Sequence, residues 1–291
     1  MNTKKFIIAA KPVLKIIISA ALLWFVFSQI DFADVVSVIG SANIFWILSA
    51  LLFFIISKII AAYRLNTFFK CAGLNISATY NLKLYLLGMF YNLFLPGGIG
   101  GDAYKVFLLN KTHVVKTKDL VWSTLLDRVT GMLALIVLIF ALIPFLPVDK
   151  YIKITSVVLI PISIFIAYIV IKIFFKKYEK VFTLTNLQSM GVQLSQLLTA
   201  YFILLSFNYY ENTILFIVIF LISSLVAIFP FTLGGAGARE FTFVLVGNWL
   251  VFDMPEKQTA IALGLTFYLI TLTVSFFGII YHFNLKKIKS G

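Results

Sequence analysis

The chain has 291 residues, 62% of them hydrophobic and 12% charged, with a mean hydropathy of +1.04 and a net charge of +13. Soluble domains carry roughly 25% charged residues, so composition excludes a soluble globular protein. Lys and Arg at the ends of apolar runs account for the positive charge, as the positive-inside rule expects. No basic patch with interleaved aromatics points to nucleic acid.

Apolar runs long enough to cross a bilayer recur along the whole chain. The first, about 13–30, has Lys4, Lys5 and Lys11 before it and Lys15 in its first turn, and precedes Asp31 and Asp34. It reads as an uncleaved span that leaves the N-terminus on the cytoplasmic side. A second span, 43–63, returns to Arg64 and Lys70. The apolar stretch 78–95 then stops at Pro96-Gly97-Gly98-Ile99-Gly100-Gly101-Asp102, and a short segment, 103–109, leads to Lys105, Lys111, Lys116 and Lys118. With basic residues on both flanks, this unit reads as a hairpin that enters and leaves on one side. Spans three (120–147) and four (151–174) meet at an outer turn through Pro147, Asp149 and Lys150, and span four ends in Lys172, Lys176, Lys177 and Lys180. Span five, 187–207, ends in the non-basic run Asn208-Tyr209-Tyr210-Glu211-Asn212. The stretch 213–232 meets a second cluster, Gly234-Gly235-Ala236-Gly237-Ala238-Arg239-Glu240, followed by 240–251 and by span six, 258–283, with Lys286, Lys287 and Lys289 behind it.

Both clusters follow Gly-Gly-x-Gly-small-charged. Such runs break a helix, since glycine costs about 1 kcal/mol against alanine in a helix interior. Broken backbone at membrane depth is tolerated only where protein buries it or water wets it. Charge parity requires 213–251 to be a re-entrant hairpin, because a full crossing would put the basic C-terminus outside. The fold expected is therefore all-α and polytopic: about six spans plus two re-entrant helical hairpins in one integral membrane domain. The half-repeats, about 1–148 and 149–291, have inverted topology, and both termini are cytoplasmic. Two matching breaks in two halves point to a binding site at the repeat interface.

Charges inside the spans cost at least about 2.5–3.5 kcal/mol and face a cavity or a partner. Asp102 lies at the first break, Arg239 and Glu240 at the second, and Asp127 and Arg128 in span three. Arg128 and Arg239 suit an anionic group such as a lipid phosphate, through bidentate hydrogen bonds. Asp102, Asp127 and Glu240 balance these arginines or contact a cationic head group. The same five residues also suit structural ion pairs that hold the hairpins, and Asp102 suits a helix N-cap. Helices starting at Asp102 and Arg239 would add backbone donors. Tyr91 and Asn92 are candidate lining, whereas Lys58 and Lys83 read as snorkelling residues. Pro96, Gly97, Gly98, Gly100, Gly101, Gly234, Gly235 and Gly237 complete the candidate substrate-binding set. One cysteine, Cys71, and two distant histidines, His113 and His282, give no metal or redox motif; no cofactor, no P-loop and no catalytic triad is expected.

Asn92 through Asp102, then Leu126-Asp127-Arg128-Val129-Thr130-Gly131, then Phe229-Pro230 and Gly234 through Glu240 resemble, in order, the lysylphosphatidylglycerol synthase transmembrane, flippase-like family. The resemblance covers nearly the whole chain. It implies lipid translocation, or partnership with an enzyme of polar-lipid or polyprenyl-glycan synthesis. No segment here is polar or long enough for the soluble aminoacyl-transfer domain of the longer relatives, so the expectation is a stand-alone, non-enzymatic member acting on anionic or lipid-linked head groups. An accessory subunit of a lipid-synthesis enzyme and a small-solute or ion transporter are the competing readings.

Overall fold

The computed structural model describes residues 20–22, 24–26, 28, 31–94, 100–228, 237–249 and 253–282. All regular structure among them is helical. The helices are α1 (Phe32–Gly40), α2 (Ile44–Ala72), α3 (Ala78–Phe94), α4 (Gly100–Thr112), α5 (Thr117–Leu142), α6 (Lys150–Phe174), α7 (Phe182–Ser206), α8 (Thr213–Ala227), α9 (Ala238–Trp249) and α10 (Met254–Phe276). Five stretches of the described residues are long and apolar enough to cross a membrane: Ile44–Ala72, Thr117–Phe145, Lys150–Phe174, Lys176–Ser206 and Met254–His282. They correspond to the second through sixth expected spans. Of the expected first span, 13–30, only residues 20–22, 24–26 and 28 are among the described residues, and Pro96, Gly97, Gly98, Gly234 and Gly235 lie outside them.

Span ends follow local chemistry. Asn43 begins α2 by accepting the Phe45 N–H at 2.9 Å, and Gly73, at φ 93°, ends it with bonds back to Lys70 and Phe69. That left-handed residue is where glycine is tolerated without strain. The helix therefore runs on past residue 63, where the sequence suggested its end, and carries Arg64 and Asn66 into the interior. Asp149 caps α6 by accepting the Tyr151 N–H at 2.7 Å, and Asp253 with Glu256 forms a capping box on α10.

The core is built on α2 and α7, which pack along each other, with α5, α8 and α10 around them. Phe54, Phe220 and Phe267 meet edge to face at its centre. In contrast, α6 buries only Ser156 and Ile171, which leaves its long apolar surface uncovered by protein, as suits a helix against lipid. Four shorter helices form two pairs: α3 packs on α4, and α8, which also contributes to the core, packs on α9. These helices have 17, 13, 15 and 12 residues. At 1.5 Å per residue each falls short of the roughly 30 Å hydrocarbon core.

Lipid gives no hydrophobic drive for helices to associate, so close backbone approach and hydrogen bonds carry much of the packing. The α3–α4 pair shows both. Gly101 sits against the Gly88 carbonyl with no room for a Cβ, and the Asn92 side-chain oxygen accepts the Gly101 N–H at 2.8 Å. Gly278, in the turn after α10, lies equally close to the Leu86 carbonyl.

This packing predicts a graded glycine series. Gly101→Ala drives a methyl into a backbone carbonyl and is expected to cost at least the roughly 1–3 kcal/mol of an overpacked core. Gly40→Ala, with open space around it, should be near neutral. Thermal unfolding of both variants in detergent checks the order; equal midpoints would refute the tight α3–α4 contact.

Candidate functional site

Asp127 and Arg128 are consecutive on α5 and so project about 100° apart. They serve different partners. Asp127 Oδ1 accepts the Arg64 Nε–H at 2.7 Å, and Arg64 Nη1 also donates to the Ser189 hydroxyl at 2.9 Å. This contact joins α2, α5 and α7, and both charged side chains are at most 10% exposed. Arg128 reaches the other way. Its Nε and Nη2 both lie 2.6 Å from Asp102 Oδ2, while Lys105 Nζ lies 2.6 Å from Asp102 Oδ1. Asp102 thus pairs with Arg128, within the balance expected from the sequence, but the role expected for Asp127 is corrected: it pairs with Arg64, a residue the sequence places at a span end. Asp102 sits in the first turn of α4.

The second break is wired differently. Gly237 adopts φ 82°, and its N–H donates to Glu240 Oε2 at 2.8 Å. A side chain at N3 reaching back to the backbone N–H at the helix start is one half of a capping box. Glu240 is 1% exposed. Gly264 on α10 makes the space, since a Cβ there would stand 3.2 Å from Glu240 Oε1. Glu240 therefore serves its own helix start, and no ion pair joins it to Arg239 among the described residues. Arg239 instead stacks between rings, its guanidinium carbon 4.9 Å from the Phe220 centroid and 4.6 Å from that of Phe267. Its Nη1 is buried without a hydrogen-bond partner.

Two adjoining cavities collect these groups. One, of about 220 Å³, is lined by Arg64, Tyr85, Asn92, Asp102, Asp127 and Arg128 among others. The other, of about 270 Å³, is lined by Ser224, Arg239, Glu240, Phe267, Tyr268 and Thr271 among others. Lys58, Gln193, Gln196 and Ile228 line both. Lys58 lies midway along Ile44–Ala72, its ammonium 4.3 Å from the Phe54 ring centre. It makes no ion pair among the described residues. The snorkelling role expected for Lys58 is corrected by this position: it faces the cavities.

Of the expected site residues, the fold brings Asn92, Asp102, Asp127 and Arg128 to one cavity and Arg239 and Glu240 to the other. Gly100, Gly101 and Gly237 shape the helix starts beside them; Pro96, Gly97, Gly98, Gly234 and Gly235 lie outside the described residues. Sequence reasoning missed Lys58, Arg64, Lys105, Gln193 and Gln196. A signal existed for four of them. Ser57, Lys58, Ala61 and Arg64 recur at helical spacing on α2, and Ser189, Gln193 and Gln196 do so on α7. Polar stripes of that period inside long apolar helices mark the faces turned inward.

The chain matches the family model described as the lysylphosphatidylglycerol synthase TM region over residues 13–186 and 178–278, and belongs to that family. UPF0104 membrane protein PH1989 of Pyrococcus horikoshii is 31% identical over 138 residues, which cover 47% of this chain and 41% of that protein. The matched stretch thus spans about two fifths of that relative's length.

The Arg64–Asp127 contact yields a stability prediction. Arg64→Ala strands a carboxylate nearly out of water, a change that typically costs about 3–5 kcal/mol. Replacing both partners, Arg64→Met with Asp127→Leu, is expected to recover most of the loss. A double-mutant cycle on unfolding midpoints measures the coupling; additive losses would show that the pair is not energetically linked.

Proposed function

We propose that this member of the lysylphosphatidylglycerol synthase TM-region family is a flippase-like transporter. On this reading it moves an anionic or aminoacylated polar lipid across the bilayer by alternating access at the midplane cavity. One observation carries the reading. Inside a span bundle, Arg239 and Ser224 line a cavity, and Arg239 Nη1 and the Ser224 hydroxyl are buried without hydrogen-bond partners. A buried donor left unmade costs about 1–3 kcal/mol, and an anionic oxygen placed there satisfies both. Arg239 then grips a phosphate through two parallel N–H donors, and Lys58 adds a point charge from the shared wall. The charge balance favours the same class of ligand. Around the two cavities stand Lys58, Arg64, Lys105, Arg128 and Arg239 against Asp102, Asp127 and Glu240. Five cations face three carboxylates. The carboxylates of the Asp102–Asp127 side are held by Lys105, Arg128 and Arg64, so the ammonium of an aminoacylated head group would have to displace one of these cations to pair with them.

The inverted-repeat topology belongs to this reading. The pairs α3–α4 and α8–α9 act as re-entrant hairpins of the half-repeats 1–148 and 149–291. Each hairpin supplies site charge from the first turn of its second helix, Asp102 in one and Arg239 with Glu240 in the other. Both termini are cytoplasmic and the protein resides in the cell membrane. Support comes from the lengths of the four helices and from the lysines that flank the outer elements.

The test is flipping of fluorescently labelled phosphatidylglycerol in proteoliposomes, with labelled phosphatidylcholine as the neutral comparison. Arg239→Gln and Lys58→Met are each expected to slow transport roughly tenfold or more, the equivalent of one charge-assisted hydrogen bond. Arg239→Lys, which keeps charge but loses the fork, should fall between parent and Arg239→Gln. Parental rates in both Arg239→Gln and Lys58→Met, with the proteins monodisperse, would remove the cavity from the mechanism.

A further inference from the structure

We infer that the chain carries a second lipid site, a pocket for one anionic phospholipid at its lysine-rich end, separate from both central cavities and independent of the transport reading. A cavity of about 380 Å³ opens between the start of α5 and the turn that joins α6 to α7. Its polar side is formed by Lys118, Lys176 and Lys177 with Asp119, and its apolar side by Trp122 and Phe174 with Phe175. None of these residues lines either central cavity.

The framework of the pocket is fixed. Lys177 Nζ lies 2.9 Å from Asp119 Oδ2 and donates to the Ala72 carbonyl at 3.1 Å. The Tyr178 hydroxyl donates to the Asp119 carbonyl at 3.0 Å. The Trp122 and Phe175 rings meet edge to face at 4.9 Å. Asp119 and Lys177 thus satisfy each other, which leaves Lys118 and Lys176, both exposed and without ion pairs among the described residues. The nearest other carboxylate of the turn, Glu179, accepts from the Tyr168 hydroxyl at 3.0 Å. Two free ammonium groups over an aromatic wall match a phosphate with an acyl chain below it.

The position matches too. Phe174 is 73% exposed and ends α6, the helix whose apolar face is the least covered by protein. The pocket is therefore continuous with a lipid-facing surface at the depth where spans leave the hydrocarbon. Basic pockets between spans at that level bind anionic head groups, and aromatic rings settle there for their amphipathic fit. A zwitterionic lipid would bring a choline into contact with Lys118 and Lys176, so the site selects against it.

The experiment is native mass spectrometry of the full chain in micelles doped with phosphatidylglycerol or phosphatidylcholine. Parent protein is expected to retain a phosphatidylglycerol adduct that excess inorganic phosphate does not displace, and to hold phosphatidylcholine more weakly. Lys118→Gln with Lys176→Gln should weaken the adduct roughly thirty-fold, as expected for two lysines near an anionic lipid surface, while Arg239→Gln leaves this adduct in place. Parental affinity in the double lysine variant, equal retention of phosphatidylcholine, or displacement by phosphate would overturn the site. Loss of all adducts in Arg239→Gln alone would do the same, because the bound lipid would then belong to the central cavity. The transport assay with the double lysine variant reports on the central cavity separately.

Discussion

A carboxylate inside a span bundle must be held by cations, and Asp102 is held by two. Lys105 comes from its own helix one turn on, and Arg128 comes from α5. The Lys105 side chain also fills the space over Gly88, so that a Cβ there would lie 2.9 Å from its Cε, and its ammonium stands 4.9 Å from the Tyr85 ring centre. One contact therefore fixes α4 against α3 and both against α5. The next residue along α5 continues the chain of contacts: Asp127 takes Arg64 of α2, and Arg64 takes Ser189 of α7. Five helices are thus registered by two carboxylates. Buried ion pairs of this kind are weak contributors to net stability, because desolvation offsets attraction. Their effect is positional: sliding any of these helices by one turn would leave a charge without its partner in a low-dielectric interior.

The parts of the fold written in local chemistry could be read from the sequence. Apolar run length located the second through sixth spans, and the glycine clusters located two helix starts, at Gly100 and Ala238, within two residues of where they were expected. Charge at the two breaks pointed to Asp102, Arg239 and Glu240, and charge within span three to Asp127 and Arg128, all of which line the central cavities. Partner choice was not legible. Asp127 and Arg128 adjoin in sequence and invite a mutual pairing, yet the turn of an α-helix points them at different neighbours. Arg64 looked like a basic flank because hydropathy had fallen by that position. The helix instead continues to Gly73, whose left-handed conformation sets the end. Lys58 looked like a snorkelling residue because rotation about the α2 axis is decided by packing against α7, which no window of the α2 sequence contains.

The two glycine breaks share a pattern and differ in electrostatic outcome. At the first, the charge delivered is a carboxylate, and Lys105 and Arg128 consume it. At the second, the carboxylate of Glu240 is consumed by the Gly237 N–H at the helix start, and the guanidinium of Arg239 lies between two aromatic faces with no ion pair among the described residues. Helix energetics do not explain that placement. A cation in the first turn of α9 stands at the positive end of the helix dipole, where charge of that sign costs about 0.3–1 kcal/mol. Contacts with two phenylalanine rings return an amount of the same order, yet they leave Nη1 without an acceptor. The residue is thus held, oriented and short of one anionic partner. An anion entering beside Ser224 and Lys58 would correct the dipole, the missing hydrogen bond and the local excess of positive charge together, and no residue among those described is placed to do all three.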